Sequence, residues 1–389
     1  MTHELFIGQE LDGGEDTLLT VNKARTVFAC GKRGTGKSYS LGDIIEEVAA
    51  NMPDTVPLVV DPMGIYWTMN EPNDRQEELL WDWGMQARGF DTTVLVPGDP
   101  VEQYGRDVYD EIERRGLRIQ SLQLNPSDIS PDGWCELFDL NINKPMGIAL
   151  YRAVRSLNEN KDFFDLAALI EEIEYDEKAN ERTINALTNR LEMAREWGIF
   201  SNSYTEMWDV LDPTRVNVLD VSVLDPGKYG RRNLVVYVLT KKIFDERSKA
   251  RRREELSLDS DVPKVWLFID EAHNFAPSGS SSLAKETLIR WIKEGRQPGL
   301  SLAMATQQPS AVASDVLSQM DFILCHKITT RTDIQSLNEL SQEYMGSQLK
   351  TYIKKIDKVG EAVCVDDERE VVEQVQMRPR KSQHGGGEA

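Results

Sequence analysis

The chain has 389 residues, 40% of them hydrophobic, which is enough to bury one large core or two smaller ones. Lysine and arginine number 45 against 65 aspartates and glutamates, a formal net charge of −20. That balance excludes a uniformly basic coat protein for nucleic acid, so any such contact has to come from a local basic patch, such as the lining of a pore.

From the N-terminus, Leu5 to Leu11 and Leu18 to Val21 read as two short strands joined by Asp12-Gly13-Gly14, too little for a barrel of their own. The β-prone run Thr26 to Cys30 then leads into a G-x-x-x-x-G-K-S stretch formed by Gly31, Lys32, Arg33, Gly34, Thr35, Gly36, Lys37 and Ser38. A helix follows from Tyr39, with Leu41, Ile44, Ile45 and Val48 on one face. Strand, loop and helix in this order make a phosphate cradle. Gly31, Gly34 and Gly36 let the backbone N–H groups turn inward, and the helix N-terminus adds partial positive charge. Residues 31–39 are therefore the candidate ATP-binding segment, with Lys37 on the β- and γ-phosphates and the Ser38 hydroxyl on Mg²⁺. The flanking strand and helix set this stretch apart from a chance match.

Val56 to Asp61 reads as a second buried strand and Thr92 to Val96 as a third, followed by a charged helix from about Arg106 to Arg115 and a strand near Leu117 to Leu124. Strands alternating with helices predict an α/β fold with a mainly parallel sheet covered on both faces. From about Pro131 to Asp212 the spacing turns helical: Leu150, Val154 and Leu157; Phe163, Leu166, Leu169, Ile170 and Ile173; Ile184, Leu187, Leu191 and Ala194. The expected organisation is a first core part at 1–130, an inserted helical bundle at 131–212 and a second core part at 213–389. Alternation resumes with Val216 to Val221 and a long helix from about Arg231 to Glu246. Its continuation carries Arg251-Arg252-Arg253, read as a solvated helix end in preference to a DNA contact.

Val265 to Ile269 is apolar throughout, and the strand ends in Asp270-Glu271. A strand buried on both faces needs a reason for two terminal carboxylates, and a metal ion with an attacking water supplies one. Asp270 is the expected Mg²⁺ partner with Ser38, and Glu271 the group that orients or deprotonates water. His273 reads as a backbone partner, with a direct catalytic role as the alternative. After a helix from Ser282 to Glu294, the strand Leu300 to Thr306 ends in Gln307, whose amide is placed to sense the γ-phosphate.

Cys30, Cys135, Cys325 and Cys364 are scattered without a C-x-x-C pair and read as reduced thiols of a cytoplasmic protein. Adjacent Cys325 and His326 point to opposite faces of a strand and do not make a zinc site. No run approaches a membrane span and the N-terminus lacks signal-peptide character, so no membrane association is expected.

Taken together, residues 31–38, Ile269 to Pro277, Lys293 to Leu300, Ala305 to Ser310, Ser318 to Leu324 and the terminal Arg378 to Gly386 resemble the HerA/FtsK superfamily, and HerA-like ATPases most of all. The resemblance covers about residues 24 to 386. It implies a RecA-like P-loop NTPase core, a homohexameric ring with ATP between subunits, and translocation of double-stranded DNA through the central pore. Members usually carry an N-terminal β-barrel before the motor, which the residues ahead of Thr26 are too few to form; a nuclease or other effector protein stays among the expected partners, and only docking through such a barrel is not carried over. The family's second strand often ends in Asp-x-x-Gly-Glu, whereas Asp61 and Gly64 are followed here by Ile65.

Such rings complete each site with a cation from the neighbour, and the Glu-Gly-Arg context makes Arg296 the expected trans finger, with Arg290 and Arg331 as alternatives. The leading expectation is a DNA translocase in repair, mobile-element transfer, packaging or defence. Its rival is a regulatory ATPase ring that assembles or gates a partner effector without moving along DNA. A monomeric nucleotide kinase fits Arg296 and Gln307 less well.

Overall fold

Short runs of β-branched and aliphatic residues, each followed by a helix or a glycine-bearing turn, build one sheet of 12 strands in the computed structural model, which describes residues 2–201, 206–225, 230–340 and 351–386. The strands are β1 (His3–Glu10), β2 (Asp16–Val21), β3 (Thr26–Cys30), β4 (Thr55–Asp61), β5 (Thr92–Pro97), β6 (Arg118–Leu122), β7 (Val216–Asp220), β8 (Lys264–Ile269), β9 (Leu300–Thr306), β10 (Phe322–Cys325), β11 (Glu361–Asp366) and β12 (Val371–Met377). Their order is β2-β1-β12-β11-β10-β3-β9-β8-β4-β7-β5-β6. From β10 to β6 every pairing is parallel, while β11, β12, β1 and β2 extend the other edge in antiparallel pairs. The expected α/β class with a mainly parallel sheet is what forms. The N-terminal strands of the sequence reading are present and join the main sheet through β12.

Side chains alternate across the sheet, so each strand feeds two cores. Val27 and Ala29 pack with Leu41, Ile44 and Ile45 of the helix Lys37–Asn51. Phe28 and Cys30 face the opposite cluster, shared with helices that lie between β6 and β7 in sequence: Pro131–Leu137, Pro145–Asn160, Leu166–Glu174 and Glu181–Arg195. Residues 202–205 of the stretch read as helical lie outside the described residues. Phe163 departs from its expected place in a helical core. It precedes the N-cap Asp165 of its helix and is 61% exposed, while its neighbour Phe164 turns inward. The basic run at 251–253 continues one helix, Arg231–Glu255, where Arg251 pairs with Glu254 and Glu255.

The helix Lys37–Asn51 is buried along its whole middle, and it carries Asp43, Glu46 and Glu47 there. Carboxylates at such depth require cations. The segment after β12 provides them. Arg378 lies 2.9 Å from Glu46 and 3.5 Å from Asp43, and donates to the Asp43 carbonyl at 2.8 Å; Lys381 reaches Glu47 at 3.0 Å. The backbone N–H and hydroxyl of Ser382 both bond Glu46. Burial raises the Asp43 carboxyl, and Arg378 is the main influence opposing it. Replacing Arg378 with Met should strand these charges and cost about 3–5 kcal/mol of stability, to be read from the urea midpoint; a shift worth less than about 1 kcal/mol would mean that Arg380 and Lys381 suffice.

Candidate nucleotide site

Register brings the sequence motifs together. Cys30 of β3 is opposite Thr306 of β9, and Ile269 of β8 is opposite Met304 of β9, so Gly31, Asp270 and Gln307 all emerge at the carboxyl edge of neighbouring strands. In open α/β sheets this edge, where the strand order jumps, is where ligands sit; here β9 and β8 lie between β3 and β4. Gly34 and Gly36 take φ of 77° and 112°, conformations that a side chain would strain. Gly36 is the N-cap and offers no side-chain cap, leaving the first N–H groups of the helix available to an anion.

Lys37 Nζ is 3.0 Å from Glu271 Oε1, 3.3 Å from Ser38 Oγ and 3.9 Å from Asp270 Oδ1. Gln307 Nε2 donates to the same Glu271 oxygen at 2.5 Å. Glu271 is 5% exposed and held at φ 48°, left-handed for a non-glycine residue, a kind of strain that recurs at functional sites. Its other oxygen, Oε2, is buried without a hydrogen-bond partner, with His273 Nδ1 at 3.5 Å. His273 bonds the Thr306 hydroxyl at 3.1 Å, a side chain where the sequence reading expected backbone. Burial raises the Asp270 carboxyl, with Lys37 foremost among the influences holding it down. Ser38 Oγ and the Asp270 carboxylate are hard oxygen donors of the kind Mg²⁺ takes. Among the described residues no group of three or more His, Cys, Asp or Glu forms a metal cage. A Mg²⁺ ion would thus share its shell with phosphate and water.

Two residues to which the sequence reading gave no part in this site complete the arrangement. Tyr66 donates its hydroxyl to Asp270 Oδ2 at 3.1 Å and lies 3.3 Å from the Ser38 carbonyl. It is delivered by a turn in which the Asp61 carboxylate accepts the backbone N–H groups of Met63, Gly64, Ile65 and Tyr66. Burial, with Asp220 nearby, pushes the Asp61 carboxyl up to about 7. Ile65 packs against the apolar cluster under the loop helix, and the next residue, Tyr66, makes the polar contact. His326 lies beneath the loop: Nδ1 donates to the Glu361 carbonyl and Nε2 accepts from Ser40, both at 3.0 Å. A Cβ on Gly31 would meet His326 Cβ at 2.7 Å, so this glycine serves close packing under the loop. Burial holds the imidazole neutral, its pKa lowered to about 4. The Asp-x-x-Gly turn was a legible signal for Tyr66; nothing local marks His326.

Lys32 and Arg33 are exposed on the loop. Arg296 is not brought to this site. It is exposed before β9, at the opposite end of that strand from Gln307, roughly 20 Å away at the usual rise per residue. Arg290 is engaged with Asp245 and Glu294 and stacks on Phe244.

The Lys37 contacts generate a pH test. Removing this cation in Lys37→Met should raise the buried Asp270 carboxyl further. A carboxyl raised on folding favours the folded state at acid pH and loses that contribution as pH climbs through its folded value. The deficit of Lys37→Met against wild type should therefore grow as pH rises from about 4, where a free carboxyl ionises, towards neutrality, reaching ~2 kcal/mol. Urea midpoints that track each other across this range would refute the coupling.

A family model described as the central domain of helicase HerA matches residues 6–243. A probable helicase of Methanocaldococcus jannaschii is 24% identical over 289 residues, covering 70% of this chain and 54% of its own length. The DNA double-strand break repair helicase HerA of Pyrococcus furiosus is 29% identical over 174 residues, 40% of this chain and 31% of its own. The chain spans about half the length of the curated relatives it matches. Among solved structures, VirB4 of Thermoanaerobacter pseudethanolicus superposes with a TM-score of 0.60 at 15% identity, covering 97% of this chain and 96% of VirB4. The conjugative coupling protein TrwB gives 0.51 at 12%, covering 94% and 87%. At those identities the likeness is one of fold, and it is the RecA-like fold expected from the motifs. The match over more than half of the chain shows that this protein belongs to the HerA helicase central-domain family.

Proposed function

We propose that this chain is a Mg²⁺-dependent ATPase that acts as a homohexameric ring and translocates double-stranded DNA through its pore. The observation that carries the reading is the convergence of Lys37 and Gln307 on Glu271 Oε1 above adjacent strand ends, with Glu271 Oε2 left unpartnered. Residues 31–39 would wrap the phosphates, with Lys37 exchanging Glu271 for the γ-phosphate. Ser38 and Asp270 would hold Mg²⁺, which supplies neutralising charge on the β- and γ-oxygens. Glu271 Oε2 would take a proton from the attacking water. Gln307 bonds the base directly, so a phosphate competing for its amide would report nucleotide state to Glu271. DNA as the track is supported by the repair helicases among the relatives, and a cytoplasmic ring with a nuclease or other effector partner belongs to the same reading.

The −20 net charge and the in-chain pairing of Arg251 favour the regulatory ring as the alternative. Hydrolysis measured with and without duplex DNA, alongside solution mass and displacement of a DNA-bound roadblock, separates the two. Stimulation with directional displacement supports translocation, and a DNA-indifferent ring supports the regulatory reading.

Two variants test the chemistry. Glu271→Gln should retain ATP binding and lose ~10²-fold or more in turnover; near-normal turnover removes Glu271 from the role of base. We assign the trans finger to Arg296, which among the described residues has no acidic partner and is exposed away from its own loop. Arg296→Ala should bind ATP, form rings and hydrolyse ~10³-fold or more slowly, and mixing it with Lys37→Ala subunits should restore part of the activity. Mixtures that exchange subunits yet remain inactive would leave the finger unassigned.

A further inference from the structure

The helix Arg331–Leu340 follows β10 on one side of the phosphate loop and reaches the short turn Pro309–Ala311 that follows β9 on the other. β3 lies between these two strands, so the contact spans the strand end from which the loop springs. Its first leg runs along the loop: the His326 N–H donates to the Cys30 carbonyl at 2.8 Å, and the Lys327 carbonyl accepts the Lys32 N–H at 3.1 Å. At the far side Asp333, 6% exposed, accepts through its single oxygen Oδ1 both the Ser310 N–H at 3.2 Å and the Ser310 hydroxyl at 2.7 Å. Nothing in the nucleotide chemistry described above uses this buried carboxylate.

We infer that Asp333 is a positioning residue for hydrolysis: by holding Ser310 it sets the turn after Gln307 and so aims the Gln307 amide at Glu271. The inference rests on the roles given above to Gln307 and Glu271. Gln307 stands between two clamps. On its strand side the Thr306 hydroxyl accepts the Gln308 N–H at 3.1 Å and bonds His273 Nδ1 at 3.1 Å. On its other side comes Ser310, whose N–H and hydroxyl go, among the described residues, to Asp333 alone. Farther on, the Ala311 carbonyl accepts the Ser278 N–H at 2.8 Å and the Ala313 N–H donates to the Ala276 carbonyl at 2.9 Å, which moors the end of the turn to the segment that follows Glu271.

The direction of control runs from the helix to the turn. Leu337 is fully buried and Ile334 packs against the same apolar cluster, which also holds Val312 and Val316, so the place of Asp333 is fixed without Ser310. Ser310, on an exposed turn, is fixed by Asp333. With that hold released, Gln307 swings on the Thr306 clamp and Glu271 Oε1 keeps Lys37 as its remaining donor. A misplacement of ~1 Å caused by a change away from the chemistry can cost ~10²-fold in rate.

The test is steady-state ATP hydrolysis by the full chain, with Mg²⁺-ADP affinity measured by calorimetry on each variant. Asp333→Ala should lose about tenfold or more in kcat, with KM for ATP and affinity for ADP unchanged. Asp333→Asn keeps an acceptor oxygen of the same shape and should recover most of the loss. In a Gln307→Ala background Asp333→Ala should cost nothing further, because the group it aims is gone. Ser310→Ala, at an exposed position, should lose severalfold in kcat alone, and wild-type kcat there overturns the role even where Asp333→Ala fails to fold. Equal losses from Asp333→Ala with and without Gln307, or a fall in ADP affinity alongside kcat, make Asp333 a support of the fold and overturn its positioning role. Wild-type kcat in Gln307→Ala itself overturns the reading of Gln307, and the role of Asp333 falls with it.

Discussion

A helix enclosed by protein along its middle cannot carry Asp43, Glu46 and Glu47 unless cations are brought to it, and this requirement ties the two ends of the chain together. Arg378 meets Glu46 across 332 residues of sequence. Gly42 faces the Arg380 guanidinium, whose Nη1 lies 2.5 Å from where a Cβ would sit, so the helix is cut to fit its counter-ion. The loop that begins this helix therefore stands on a foundation supplied from far along the sequence. His326 adds a second support, joining the helix through Ser40 to the Glu361 carbonyl of β11.

What was legible in the sequence was local. Strands β3, β4 and β8 are mostly apolar runs that lead into glycine or carboxylate, β9 leads into Gln307, and patterning of that kind identifies both the element and the edge where chemistry gathers. Arg378 to Ser382 resembles the family's C-terminal signature, yet nothing in those residues says that their partners are on the loop helix. Ionic pairing over such separations has no periodicity to betray it. The same holds for the Asp61 turn, where the number of N–H groups accepted by one carboxylate becomes visible only in three dimensions. Phe163 misled because a helical spacing rule cannot distinguish the residue before an N-cap from the first turn after it; Asp165 two positions on was the cue.

The mixed sheet divides labour by direction. Parallel pairing from β10 to β6 puts every strand's carboxyl end on one side, while β11, β12, β1 and β2 run back and forth and lend the other edge their connecting segments. The nucleotide side thus gains walls from β11, β12 and the tail without disturbing the register that aligns Cys30 with Thr306.

Gln307 and Arg296 flank β9 at its two ends, and this polarity has a geometric corollary. A contact that joins one end of the strand in one subunit to the other end in the next can be made twice over by a twofold dimer, residue i meeting j and j meeting i, or head-to-tail around a ring. Head-to-tail contacts either close on themselves or continue without limit. An open chain of subunits always has one nucleotide loop facing solvent and one arginine facing nothing, whereas closure completes every site at once. Under the trans assignment, specific activity is then a property of assembly: it vanishes on dilution to the monomer and reaches its maximum only when the last interface closes.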